Sequence, residues 1–309
     1  MTRRHIILTM ALAAAAAPCV FAWGPRGHRL SAYIAQRYLT PATEAAVTSI
    51  LDCSLECAAN YPDTYRLSAW EGDWEDAPDY VWNAHTVFFT PDMRPATWGY
   101  DPENISYDDL KALMRTLGDT SCGHLAVQYH AASLRNWKEH SDSANVTDLK
   151  MIIHFLGDLH CPGHLQYSLP DGSKDPDRVG AWAQCNYGTY KGKRTALHKL
   201  IDAAPERCHP EFCPGNEIDL KAYADCLDTW DAEKIHKAVQ GHFFDWLSDN
   251  ARRCYWLQGK EGPVTPGTVV DEAFYKETFE PIVSCQLVVA GYRMAELLNR
   301  IFDPEYKGL

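Results

Sequence analysis

The sequence predicts an all-α fold: a mostly helical single domain carrying one small irregular or β-hairpin insertion. Three observations lead there. Apolar residues recur at helical spacing through most of the chain. The stretch richest in Gly, Asp and Tyr is confined to 169–193. There is no internal repeat, and the 287 residues from 23 to 309 can bury one large core without splitting.

In chain order, 27–39 has apolar residues at helical spacing, and Thr40-Pro41 opens a second helix running to Leu51. Residues 52–66 read as a cysteine-bearing loop, 67–92 as an acidic stretch rich in aromatics, and 93–107 as loop. Helical patterns resume at 107–117, 122–137 and 146–160. Beyond the insertion, helices are predicted over 194–203, 218–227, 231–249 and 270–302.

Residues 1–22 have a separate character. Arg3 and Arg4 precede an apolar run from Ile6 to Ala17, and Val20-Phe21-Ala22 is a small-x-small cleavage site. This is a secretory signal peptide, too short and Ala-rich to span a bilayer. Cleavage after Ala22 leaves Trp23 as the mature N-terminus, and nothing downstream reads as a membrane span or lipid anchor. The expected product is secreted, with no membrane association. Ten cysteines remain after Cys19 is removed, which in an exported chain reads as up to five disulfides. Asn104-Ile105-Ser106 and Asn145-Val146-Thr147 are glycosylation sequons. Loss of Arg3 and Arg4 takes the formal charge from −12 to −14. That argues against a polyanion partner unless divalent cations invert the local field.

The chemistry concentrates in 151–164, MIIHFLGDLHCPGH. His154 and Asp158 are four apart, so they share a helix face; Pro162 ends or bends the helix and His164 follows on the turn. Buried imidazoles and carboxylates must be paired, hydrogen-bonded or metal-bound. A lone His-x-x-x-Asp reads by default as a buried ion pair. Here, however, the pattern recurs in His198-x-x-x-Asp202, and other pieces offer the same donors: His28 five residues from Trp23, the carboxylate of Asp73, and His85. Nitrogen and carboxylate donors suit zinc, hydrated or carboxylate-rich sites also admit manganese or magnesium, and two such pairs facing a bundle core match how helical proteins build metal centres. His124, His130, His160, His209, His236 and His242 read as structural, with His160 close enough to support a ligand.

The blocks WGPRGH at 23–28, HFLGDLHCPGH at 154–164 and Ala196-Leu197-His198 resemble the secreted zinc-dependent single-strand-specific nuclease and 3′-nucleotidase family. Weaker likeness lies in Trp246-Leu247-Ser248-Asp249-Asn250 and Ala290-Gly291-Tyr292-Arg293-Met294-Ala295. The resemblance covers essentially all of 23–309. It implies the all-α fold shared by zinc nucleases and zinc phospholipases C, and three zinc ions at the bottom of a cleft. Asp73, His85, His154 and Asp158 would hold the first. The α-amine and carbonyl of Trp23 would hold the second with His28, Asp158 bridging the two. His164, His198 and Asp202 would hold the third, more open one. Asp73 and Asp158 are the implied catalytic carboxylates. An α-amine and its own carbonyl chelate in a five-membered ring only after the leader is removed, so export and activation are coupled. Six positive charges against three carboxylates make the pocket positive inside an acidic protein, which removes the objection from net charge. Bridged cations lower the pKa of a shared water for attack on phosphorus, and the remaining zinc stabilises the leaving 3′-oxygen. The implied substrates are RNA, single-stranded DNA and nucleotides, with 5′-phosphorylated products, no stable protein partner and a monomeric state.

The sequence departs from the family pattern in two places. The family reads Trp-Ala-Asp with an Arg three residues later that contacts phosphate; here Trp70 is followed by Glu71, Gly72 and Asp73, and Asp76 stands where Arg is expected. Glu71 is therefore the rival of Asp73, and Lys174, Arg178, Lys191, Lys193 and Arg194 are the candidates for phosphate contact. Thr86 follows His85 where the family places Phe, leaving Phe88 and Phe89 as candidates to stack a base. The rival classes are a zinc phospholipase C and a non-enzymatic zinc-binding scaffold.

Overall fold

The computed structural model describes residues 23–63, 87–89, 109, 123–167, 188–190, 193–195, 197–258, 264 and 268–309, with only the backbone for part of these. The leader (1–22), Glu71, Asp73, His85, the two sequons' Asn104 and all but one residue of the predicted 107–117 helix lie outside them.

The fold is all-α, as the sequence predicts. Helix α1 (Pro25–Gln36) and helix α2 (Pro41–Leu51) each begin with Pro in the first turn. Proline's fixed φ and missing N–H cost nothing there. Thr40 caps α2 by accepting from the Thr43 N–H, and Asp52 closes it in the left-handed region at φ 53°. The predicted cysteine loop contains a short helix, α3 (Leu55–Ala58). Helix α4 (Gly123–Leu134) leads to α5 (Asp142–Asp158), which starts four residues before the predicted bound because Ser141 accepts from the Ala144 N–H. Strands β1 (Val87–Phe89) and β2 (Leu165–Tyr167) pair in parallel, Val87 opposite Leu165. The backbone two residues past His85 is thereby bound to the residue next to His164.

Strands β3 (Gly188–Tyr190) and β4 (Lys193–Thr195) form an antiparallel pair at the C-terminal end of the predicted insertion. Residues 194–195 are therefore strand rather than helix, and α6 covers Leu197–Asp202, followed by α7 (Ala204–Cys208) and α8 (Leu220–Leu227). The predicted 231–249 helix is two, α9 (Ala232–Val239) and α10 (Phe243–Gln258). Gly241 breaks it at φ +83°, and Asp245 reaches back to the His242 N–H to start the second helix. The predicted 270–302 helix likewise divides: β5 (Thr268–Val269) pairs with β3, then come α11 (Glu272–Phe274), a π turn over Tyr275–Phe279 and α12 (Glu280–Phe302).

Helix α12 is the central pillar and packs along α1. Gly291 is where they touch, since a Cβ there would lie 2.6 Å from Ile34 Cγ2. Asn299 of α12 pins the α1–α2 link, accepting from the Thr40 N–H and donating to the Tyr38 carbonyl. One face of this pillar joins a core with α2, α4 and α5 (Leu149, Ile152, Phe155, Leu298), and the other joins a core with α6, α7 and α8 (Leu200, Ile201, Tyr223, Tyr292). The C-terminus of α5 ends between the two cores.

Among the described residues no two of Cys53, Cys57, Cys161, Cys208, Cys213, Cys226 and Cys285 are joined, while Cys122, Cys185 and the Cys254 side chain lie outside them, so the expected disulfides, up to five, are not shown. Cys161 and Cys208 instead sit as buried side chains among packed helices. No helix among the described residues is long and apolar enough to cross a membrane.

Candidate metal centre

Four segments far apart in sequence meet at the end of α5. Helix α1 brings His28, the segment after α3 brings Asp63, α5 and its following turn bring His154, Asp158 and His164, and α6 brings His198 and Asp202. All seven are buried. His28 and His154 stack with ring centroids 4.1 Å apart. Asp158 lies at their junction, 3.1 Å from His28 Nε2 and 3.4 Å from His154 Nε2. Asp63 Oδ1 is 3.8 Å from His154 Nε2. On the other side of Asp158, His164 Nδ1 is 3.9 Å from Oδ2, and the His164 and His198 Nε2 atoms approach to 2.8 Å. His198 Nδ1 is 3.3 Å from Asp202 Oδ2.

Local backbone chemistry sets these positions. His154 Nδ1 donates to the Ala59 carbonyl at 2.8 Å, which makes Nε2 the lone-pair nitrogen facing Asp63 and Asp158. Gly157 admits the His28 ring, because a Cβ would lie 2.9 Å from its Nδ1. Gly163 admits His198, because a Cβ would lie 3.0 Å from its Cδ2. Trp23 is fully buried, its indole N–H donating to the Gly157 carbonyl at 2.8 Å, and the Gly24 N–H donates to the Asp202 carbonyl at 3.0 Å. The chain therefore enters the fold between Asp158 and Asp202.

The donor set fits a cation. Three buried carboxylates lie among four buried imidazoles. Burial first, then the charges of Asp158 and Asp63, push the Asp202 carboxyl well above its usual range. Its Oδ1 is buried and makes no hydrogen bond. Two groups of donor atoms lie within 4.8 Å of one another: His28, Asp63 and His154 in one, and Cys161, His164 and Asp202 in the other.

The structure thus brings together Trp23, His28, His154, Asp158, His164, His198 and Asp202. Asp73 and His85 fall outside the described residues. Asp63 is the residue that sequence reasoning passed over. The signal was present in Asp63-Thr64-Tyr65-Arg66, which has Asp and Arg at the family spacing ten residues before Asp73. His160 belongs elsewhere. Its Nδ1 donates to the Leu156 carbonyl, its Nε2 faces Arg293, and burial with the nearby guanidinium pushes its pKa down to about 3. His130 pairs with Asp148 at 2.7 Å as a core histidine.

A family model described as S1/P1 Nuclease matches residues 23–303. Nuclease S1 of Aspergillus oryzae is 28% identical over 308 residues, covering 93% of this chain and 94% of that protein. Nuclease P1 of Penicillium citrinum is 26% identical over 308 residues, covering 92% and 99%. Endonuclease 2 of Arabidopsis thaliana is 26% identical over 299 residues, covering 93% of each.

Proposed function

The chain belongs to the S1/P1 nuclease family, and from that premise we propose that this nuclease is an exported, zinc-dependent endonuclease of RNA and single-stranded DNA, with 3′-nucleotidase activity at the same centre. The observation that carries the zinc reading is the convergence of Asp63, Asp158 and Asp202 with His28, His154, His164 and His198 in one buried cluster. Asp63, His154 and Asp158 would hold one ion with His85. His28, Asp158 and the mature N-terminus of Trp23 would hold a second. His164, His198 and Asp202 would hold the third. Bound zinc supplies Lewis acidity and a water of lowered pKa for phosphodiester hydrolysis.

Asp63 replaces Asp73 in this assignment because its carboxylate belongs to the donor group with His28 and His154. By the same spacing, Arg66 takes the phosphate-contacting role. Trp23 serves the site through its main chain. Burial of its indole and the Gly24–Asp202 hydrogen bond support a ligand role for its amine once the leader is cleaved. His154 keeps one tautomer through Ala59, so its donor nitrogen needs no reorientation on binding.

The test compares protein beginning at Trp23 with protein carrying one extra N-terminal residue. Bound zinc and hydrolysis of single-stranded DNA are measured for both. The expected result is about three zinc ions, one for each proposed ligand set, and activity in the first, with metal and activity lost from the second. Equal zinc and activity in both would remove Trp23 from the site. Zinc without nucleolysis would overturn the functional reading.

A further inference from the structure

The group around His164 contains a donor that the family resemblance does not supply. Cys161 is fully buried, and its sulfur, a His164 ring nitrogen and an Asp202 carboxylate oxygen lie within 4.8 Å of one another. Gly163 locates the sulfur further: a Cβ built there would lie 3.5 Å from Cys161 Sγ and 3.0 Å from His198 Cδ2. The thiol and the His198 ring therefore flank the same glycine. Asp202, nine-tenths buried, contributes an Oδ1 that makes no hydrogen bond. His198 adjoins the group through both ring nitrogens, Nε2 lying 2.8 Å from His164 Nε2 and Nδ1 lying 3.3 Å from Asp202 Oδ2.

We propose that Cys161 is a fourth protein ligand of the metal ion held by His164, His198 and Asp202, giving that ion an N2OS donor set. The proposal rests on the zinc reading above. Coordination converts the thiol to a thiolate and releases its proton to solvent. A thiolate with two imidazoles and a carboxylate suits zinc and favours softer divalent ions over magnesium or manganese. Four protein donors would leave this ion less open than the three-ligand set that the resemblance implies. Backbone geometry favours the arrangement. The turn after α5 is tied by the His164 N–H donating to the Cys161 carbonyl at 3.0 Å, which sets both side chains from one loop.

Cobalt(II)-substituted protein provides a readout independent of activity, because thiolate-to-cobalt charge transfer absorbs in the near ultraviolet and nitrogen or oxygen donors give no such band. The full chain beginning at Trp23 is loaded with cobalt, alongside Cys161→Ser, Cys161→Ala and the buried control Cys208→Ser. The band is expected in the unmutated protein and in Cys208→Ser, and absent from both Cys161 variants. Bound cobalt without the band in the unmutated protein overturns the thiolate ligand while leaving the zinc reading intact, however the variants fold. A band that persists in a Cys161 variant assigns the sulfur to another cysteine and also overturns it. Failure to bind cobalt or zinc at all overturns the proposal and the metal reading together.

Discussion

Two buried polar clusters adjoin the turn that follows α5, and they differ in whether a guanidinium lies among their carboxylates. On one side Asp63, Asp158 and Asp202 meet four imidazoles, with acceptors in excess. On the other, Arg293 is 4% exposed and supplies its own cation. It bonds Asp249 Oδ2 at 3.0 Å, the Ala238 carbonyl at 2.8 Å and Asn250 Oδ1 at 3.3 Å. Asn250 donates to the Leu159 carbonyl and Gln286 to the His160 carbonyl, so this cluster grips the turn through its backbone. A protein-borne guanidinium closes one network, while the other is the donor cluster proposed to hold cations. Buried His and Asp alone do not mark a metal site; the balance of donors to acceptors does.

The largest effect expected is at Asp63. Asp63→Asn should remove a bound ion and cut nuclease activity by more than ~100-fold, since even groups supporting a ligand cost ~10–100-fold. Asp73→Asn should change activity only a few-fold by the same scale. Metal analysis and rates on both variants decide the matter, and the reverse order would restore Asp73.

On the self-contained side, Arg293→Met should destabilise the fold by about 2–3 kcal/mol. That is below the ~3–5 of a fully enclosed pair because Asp249 is partly exposed. Urea unfolding measures the loss, and metal content at low temperature should be retained. Gln286→Leu, which strips the His160 carbonyl of its side-chain donor, should cost about 1–2 kcal/mol in the same assay.

Acid separates the clusters as well. His160 has its folded pKa lowered to about 3 by burial and the Arg293 charge, so the stability it contributes is present above the unfolded pKa, ~6.5. It is lost as pH falls from there toward about 3. Metal-free protein should therefore weaken on acidification over that window, and His160→Gln should flatten the dependence. The smallest effect is expected for Lys237→Ala, whose exposed pair with Glu233 should leave the melting temperature unchanged.

Helices α1 and α2 and the His154–Asp158 face were legible in the sequence because their signals are local: Pro41 behind a Thr40 cap, and a four-residue repeat. The α9–α10 break was legible too, in Gly241 and Asp245, but a continuous apolar pattern masked it. Asp63 was passed over because a Trp-anchored reading of the acidic stretch drew attention ten residues downstream, to Asp73, which lies outside the described residues. The Arg293 network was visible only as two unexplained motifs, 246–250 and 290–295. Contacts across more than 40 residues have no local signature, and only the fold joins Arg293 to Asn250 and Asn250 to Leu159.

Anomalous diffraction at the zinc edge, from crystals of the protein beginning at Trp23, tests the central claim most directly. The account predicts peaks among His28, Asp63, His154 and Asp158 and a further peak among Cys161, His164, His198 and Asp202, with none at the Arg293 cluster. A zinc-loaded crystal with no peak touching Asp63 or Asp158 would contradict it.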